Sequence, residues 1–435
     1  MLKTFTKYVS FNIIGMLGIS FYILADTFFV AKALGALGLA ALNFAIAVYS
    51  VMNGIGLMIG IGGATAFSIS KGRGKNKSRA FLCSIILGAI FAVIFMAIAL
   101  LFSEDISYLL GADEKTIEYT STYIKTLLLF SSFFLLNNIV IAFVRNDNNP
   151  QLAMAAMLVS SFSNIILDFV FMFIFSWGMF GAVIATCFSP IISLLILSLH
   201  FFRRKSTFTP GIGKVKFTDF GNVLKLGSSS LVCELASSVS LIVFNLILAK
   251  TEGNIGVAAY GIIANIALVV ISIFTGIAQG VQPLASTYYG SGELVKLSKI
   301  LKLAVVFSAV LSIVIYVVLF VFTENVVSAF SEKDIILENI AVSGVRLYFI
   351  GFFFAGVNVV ATAIFSASTK YKTALILSVL RSCAVLIPAV LIMTVLMGLA
   401  GIWLSFTVTE FIVFVIVVVC MKRLFVKKSE VNLER

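Results

Sequence analysis

The sequence predicts an all-α integral membrane protein whose twelve helices form two pseudo-symmetric six-helix bundles. Three observations carry that expectation: a scarcity of charge, the spacing of the apolar runs, and a repeat that divides the chain. Of the 435 residues, 61% are hydrophobic and 11% charged, and the mean hydropathy is +1.13. A soluble domain carries about 25% charged residues, and a surface built from fewer would expose large apolar patches. A soluble enzyme, a nucleic-acid binder and a disordered chain are thereby excluded. Lipid is the solvent, and it offers no partner to backbone N–H and C=O groups, so every span must be helical.

The apolar runs lie near residues 8–33, 40–70, 80–102, 119–144, 151–175, 179–201, 222–249, 255–288, 300–322, 339–365, 373–397 and 400–421, parted by charged or Gly- and Asn-containing loops. The first is too long for a signal-peptide core and contains Asp26, so it reads as an uncleaved span. The longest polar connection, about Arg203 to Asp219 with Pro210 and Gly211, follows the sixth run. We expect an amino-terminal lobe over residues 1–202, a linker over 203–221, a carboxy-terminal lobe over 222–421 and a basic tail over 422–435. An even number of spans puts both termini on one side. Of the 31 Lys and Arg residues, 24 fall in loops on that side and six on the other, while Arg381 lies within a span. The positive-inside rule then places both termini in the cytoplasm of a cell that carries this protein in its (inner) membrane.

The halves resemble each other. Gly38-Leu39-Ala40-Ala41 returns as Gly256-Val257-Ala258-Ala259, Phe102-Ser103-Glu104 as Phe322-Thr323-Glu324, and Gly178-Met179-Phe180-Gly181 as Gly398-Leu399-Ala400-Gly401. Repeats with an even number of spans share their orientation, an architecture of transporters whose substrate path follows the interface between repeats. Catalytic motifs fail by comparison. Gly60-Ile61-Gly62-Gly63 sits inside an apolar run without a preceding strand, and Gly72-Arg73-Gly74-Lys75 lacks both the earlier glycine and the following Ser/Thr of a phosphate loop. With one histidine, His200, and no paired catalytic carboxylates, neither a membrane enzyme nor ATP hydrolysis has support, so no cofactor is expected. The five cysteines all fall in apolar runs and form no disulfide pattern.

Four acidic residues lie within spans, where each must be paired, protonated or facing water: Asp26, Asp168, Glu234 and Glu410. At about 1.5 Å of rise per residue, Asp26, Asp168 and Thr186 stand level, roughly 10 Å below the outer surface. Asn164 shares a face with Asp168 one turn lower. An all-oxygen group of this kind suits a hard cation such as Na⁺, or two carboxylates sharing a proton; hydrogen bonding to neighbouring polar side chains is the alternative. The repeat puts Ala384 and Pro388 where the first half has Asn164 and Asp168, so only one half carries the site. Glu410 and Arg381 come level on adjacent antiparallel spans and are expected to form a structural ion pair. Glu234, near the midplane without a matching cation, is a candidate for a cationic substrate or a second proton, or is simply hydrogen-bonded.

At these residues the sequence resembles the multidrug and toxic compound extrusion (MATE) family over nearly its whole length. Ala25-Asp26-Thr27-Phe28-Phe29-Val30 resembles its first-span acidic motif, and Gly276-Ile277-Ala278-Gln279-Gly280-Val281-Gln282-Pro283 its eighth-span signature. Leu380-Arg381 through Pro388, then Gly401-Ile402-Trp403 and Glu410, resembles its signature in spans eleven and twelve. Asn164, Asp168 and Thr186 with Asp26 match the family's amino-terminal cation site. The resemblance implies a V-shaped pair of lobes and an antiporter that exports bulky, often cationic organic molecules in exchange for Na⁺ or H⁺. Gln279, Gln282, Tyr22, Met58, Phe274 and Glu234 are then candidates for contacting substrate, and a monomer in the lipid bilayer is expected. The early prolines of spans one and seven found in many members are missing, although Gly15 and Gly18 would still permit bending. The alternative function is a flippase for a lipid-linked saccharide or another envelope precursor, which calls for several basic residues facing the central path.

Overall fold

The computed structural model describes residues 1–74, 78–203, 206–208, 215–328 and 335–433, with side chains through Lys422. The described residues are helical and contain no strand. The first half holds α1 (Leu2–Gly72), α2 (Ser78–Leu109), α3 (Ile117–Leu129), α4 (Ser131–Asn146), α5 (Pro150–Phe169) and α6 (Gly178–Phe202). The second holds α7 (Phe217–Thr251), α8 (Gly253–Gly290), α9 (Leu294–Val321), the short α10 (Thr323–Ser328), α11 (Ile335–Tyr348), α12 (Phe352–Ala367), α13 (Tyr371–Val379) and α14 (Leu386–Leu433).

Two of these helices are too long for one crossing. A straight helix of 71 residues, the length of α1, would run about 107 Å, more than three bilayer cores. Instead α1 breaks at Gly35 (φ 62°, ψ −151°) and α14 at Gly398 (φ 57°, ψ −135°), so each makes two crossings. α3 and α4 form one crossing bent by 52°. α11 runs through a 3₁₀ turn at Phe349–Gly351 into α12, and α13 through a π-helical turn at Leu380–Ala384 into α14. Twelve crossings result.

The repeat is also written in the backbone. Gly35 and Gly253 both take positive φ (62° and 65°), as do Gly178 and Gly398 (57° each). The first pair is 218 positions apart and the second 220, the same offsets that relate the repeated tetrapeptides. Only glycine visits such backbone conformations freely, so both halves turn at equivalent points by the same device.

Each half has its own apolar core: Val30, Met52, Leu127 and Val183, with Phe67, Phe81 and Phe143, in the first; Ile263, Phe274, Phe352 and Trp403 in the second. The boundary between them is not the linker alone. Phe5, Tyr8 and Val9 at the start of α1 pack into the core of the second half, and Phe208 of the linker inserts among Phe67, Phe81 and Phe143 of the first. α7 already begins at Phe217, inside the stretch expected to be linker, because the Asp219 carboxylate accepts the Lys216 N–H at 3.0 Å and caps the helix. Linker residues 204–205 and 209–214, Pro210 and Gly211 among them, lie outside the described residues. The stretch expected as a tail continues α14 to Leu433, and residues 434–435 lie outside the description. α1 is unbroken from Leu2 to Leu34, through Gly15 and Gly18.

Candidate functional site

Close packing between the first crossing of α1 and α5 sets the register of the intramembrane carboxylates. Gly15 leaves room for Met157, whose sulfur would stand 2.9 Å from an added Cβ, and Gly18 does the same for Leu158 at 2.7 Å. Gly15 and Met157 differ by 142 positions. The same offset carried along two parallel helices brings Asp26 beside Asp168, and the two carboxylates are close enough to interact electrostatically.

Both are buried, as are Asn164 and Thr186. The Thr186 hydroxyl donates to the Ala182 carbonyl at 3.2 Å and faces the hydroxyl of Tyr123, which itself lies near both carboxylates. Tyr22 and Tyr49 face one another on the side toward Glu234. One turn beyond, Phe29 meets Phe169 at 6.5 Å and Phe173 at 5.8 Å, where α5 gives way to a π-helical turn at Val170–Ile174. Neither oxygen of Asp168, nor Asp26 Oδ1, nor the Asn164 amide has a protein hydrogen-bond partner. Buried oxygens left unsatisfied by protein are costly, and a hard cation or a shared proton would satisfy them. Among the described residues no three His, Cys, Asp or Glu side chains converge. A cation here would therefore rest on two carboxylates and neutral oxygens, a set suited to a weakly held monovalent ion.

Glu234 occupies a different place. It sits on the seam between the halves, where Asn53 Nδ2 donates to its Oε1 at 2.8 Å and Asn138 Nδ2 donates in turn to Asn53 Oδ1 at 2.9 Å. One turn farther from the end of the molecule that bears the N terminus, Ser238 Oγ donates to Ser50 Oγ at 2.9 Å. In the other direction the seam continues toward that end. Gly227 lies against the backbone of Met58, whose carbonyl oxygen would be 1.8 Å from an added Cβ. Gly276 and Gly280 admit the backbone of α1 at Ile13 and Val9, at 2.6 and 2.8 Å from an added Cβ. The spacing of small residues four apart lets two helix backbones approach closely.

This geometry assigns places to the remaining candidates. Gln282 Nε2 donates to Thr65 Oγ1 at 2.5 Å, and Gln279 Oε1 accepts from Arg145 Nη1, so both bind the halves to one another. Phe274 is buried in the second core against Phe352 and Gly356. Met58 meets α7 through its backbone. Of the six substrate candidates, the structure brings only Tyr22 near Glu234. Arg381 and Glu410 form a bidentate pair, Arg381 Nη2 to Glu410 Oε1 at 2.7 Å and Nε to Oε2 at 3.1 Å, with Asn358 Nδ2 donating to Oε2 at 2.7 Å. The π-helical turn at Leu380–Ala384 carries Arg381.

Two groups escaped the sequence reading. Arg145, counted there as a loop cation, is 1% exposed. Its Nη1 donates to Asn12 Oδ1 at 3.0 Å and to Gln279, and it has no ion pair among the described residues. Asp147, also unremarked, accepts from Lys71 (3.3 Å), His200 Nε2 (3.1 Å) and both the N–H and the hydroxyl of Thr207 (2.7 and 2.5 Å). Burial works to raise its pKa, yet these donors together hold the carboxyl below the usual range. The Arg-Asn-Asp run in front of Asn148-Asn149-Pro150 was the available signal: five polar residues before a helix-starting proline need buried partners or water.

Comparison with known proteins follows the same outline. The MatE family profile matches residues 12–170 and 230–392. The multidrug export protein MepA of Staphylococcus saprophyticus is 28% identical over 400 residues, covering 90% of this chain and 88% of its own. MepA of Staphylococcus aureus strain MRSA252 is 26% identical over 382 residues, covering 86% and 82%. Among solved structures, an outward-facing multidrug resistance MATE family transporter of the MOP superfamily superposes with a TM-score of 0.90 at 21% identity, over 95% of this chain and 93% of that one. A MOP superfamily transporter from Pyrococcus furiosus, described as having a binding pocket of reversed polarity, gives 0.86 at 21% identity over 95% and 94%.

Proposed function

Because this chain belongs to the MatE family, whose members are transporters and not enzymes, we propose that it is a secondary active multidrug efflux antiporter of the cell membrane. It exports bulky, mostly cationic organic compounds in exchange for Na⁺ or H⁺, and Asp26 and Asp168 are the coupling carboxylates. Its termini face the cytoplasm, a reading supported by the 24 basic residues on their side, and it works as a monomer. The pairing of Asp26 with Asp168 carries this reading: two like charges, a buried amide and a hydroxyl, with oxygens that no protein donor satisfies.

The mechanism follows from that pair. Two carboxylates held together in a low-dielectric site repel each other, so one cation or proton entering from the far side binds with the whole of that repulsion to relieve. Charging and discharging the pair alters how α1 packs on α5, and α1 also forms the seam with α8. Glu234, flanked by Tyr22 and Tyr49, offers a drug cation a carboxylate and aromatic faces; the drug would take the place of Asn53 as its partner. The two MepA relatives, named as multidrug export proteins, support the same class of cargo. A flippase for an anionic precursor would need free cations along the path, whereas Arg381 is held by Glu410 and Arg145 is sealed in the seam.

The experiment is export of a cationic dye from vesicles under an imposed Na⁺ gradient and, separately, an imposed pH gradient. Asp26→Asn and Asp168→Asn should each abolish export at unchanged protein level. Wild-type export by both variants would sink the proposal, and the gradient that drives the wild type names the ion.

A further inference from the structure

One cavity among the described residues lies away from the carboxylates. It lies at the end bearing the N terminus, has a volume of about 450 Å³, and opens between the two halves. Lys3, Lys7 and Tyr8 of α1, with Asn146 at the end of α4 and Asn148 from the turn after it, line one wall; Pro283, Leu284, Thr287 and Tyr288 of α8 line the other. Its size falls within the range of small-ligand sites.

The chemistry of the lining is one-sided. Lys3 and Lys7 have no ion pair among the described residues, and no acidic residue lines the cavity. The nearest carboxylate, Asp147, is occupied by Lys71, His200 and Thr207. Arg145, adjacent in the chain and without a carboxylate of its own, adds a second layer of positive charge behind the wall. Asn146 is the independent sign of a ligand. It is 2% exposed, it lines the cavity, and neither its amide nitrogen nor its carbonyl oxygen has a partner. A buried amide with both ends unsatisfied costs stability unless something polar reaches it.

We infer that this cavity is a binding site for a phosphate-bearing anion, with Lys3 and Lys7 neutralising the charge and the Asn146 amide donating to a phosphate oxygen. A phospholipid headgroup and free phosphate share that chemistry. The apolar sides of Pro283 and Leu284, and a mouth at the membrane–water boundary, suit a headgroup. Such a ligand touches both halves at once, so it binds only when their ends meet and stabilises that arrangement by linkage. The inference stands apart from the carboxylate pair and does not depend on the coupling ion.

The test uses the full-length protein in a neutral detergent, with thermal unfolding followed during titration. The probes are short-chain phosphatidylglycerol, phosphatidylcholine of the same chain length, and inorganic phosphate. Phosphatidylglycerol should raise the midpoint and phosphatidylcholine should not. Lys3→Gln/Lys7→Gln should weaken the phosphatidylglycerol response about 30-fold, roughly fivefold for each lysine. Lys225→Gln/Lys372→Gln removes equal charge from the same end without touching the cavity and should respond like the wild type. Asn146→Leu should weaken the response with no change in charge; should it fail to fold, the two lysine pairs still decide. A response to inorganic phosphate with the same lysine dependence supports the site and identifies the free anion as a ligand. No response to either anion, or an equal loss in the two double variants, overturns the inference.

Discussion

Gly227→Ala tests the seam with a single methyl group. The added Cβ would stand 1.8 Å from the Met58 carbonyl oxygen, 2.6 Å from its carbon and 2.9 Å from its Cα, where ordinary contact begins at 3.4 Å. These neighbours are backbone and cannot swing away, so α7 and α1 must part by about 1.5 Å. Overpacking of this kind costs about 1–3 kcal/mol, which biases the equilibrium between closed and parted seams by about 5- to 150-fold. Alanine's greater helix propensity, about 1 kcal/mol, applies to α7 in either arrangement and cancels. The assay is a pulsed electron-resonance distance between spin labels at Phe202 and Lys299, exposed positions at the same end on opposite halves, in a background lacking the five native cysteines. The distribution should move to longer distances in Gly227→Ala. Gly221→Ala, on the same helix with nothing within 4 Å of the new Cβ, should leave it unchanged. An unaltered distribution and an unaltered unfolding midpoint in Gly227→Ala would refute the claim that this contact holds the halves together.

Two further outcomes follow from the buried charges. Glu410→Gln leaves Arg381 without its carboxylate and should cost about 3–5 kcal/mol, whereas Arg381→Met with Glu410→Leu should be near neutral or stabilising; thermal unfolding of both in one detergent decides, and equal losses would contradict the assignment. Asp147 has a depressed folded-state pKa, so its contribution is complete above the unfolded carboxylate value of about 4 and is lost as pH falls below that value. Unfolding midpoints measured from pH 6 down to 3 should fall more gently in Asp147→Asn than in the wild type below pH about 4, and parallel curves would remove Asp147 from the account.

What could be read in advance depended on whether counting along one helix was enough. Asp26, Asp168 and Thr186 were placed level by rise per residue, because each lies inside a regular helix whose outer end is marked. The halves were legible because the glycines at 35 and 253, and at 178 and 398, sit in repeated tetrapeptides or just before them. Arg145 was missed because counting puts it at a helix end, where a cation normally reaches water; the approach of α1 and α8 buries it. The eighth-span signature was legible as a motif but not as a contact: that Gly276 and Gly280 admit α1, and that Gln279 and Gln282 face Arg145 and Thr65, depends on neighbours more than 130 positions away. Phe5, Tyr8 and Val9 crossing into the second core, and Phe208 into the first, are likewise properties of packing between distant segments, which no local pattern encodes.

One rod runs through this molecule. From Val9, pressed against Gly280 in one half, to Asp26, beside Asp168 in the other, α1 is unbroken over 17 residues, about 26 Å. A helix of that length without proline transmits a shift at one end to the other with little loss, whereas a kinked one would absorb it in bending. The two lobes therefore cannot behave as separate machines joined by a loose connector. The carboxylate pair at one end and the packing of the two halves at the other bear on a single mechanical part, and the missing proline makes that part stiff.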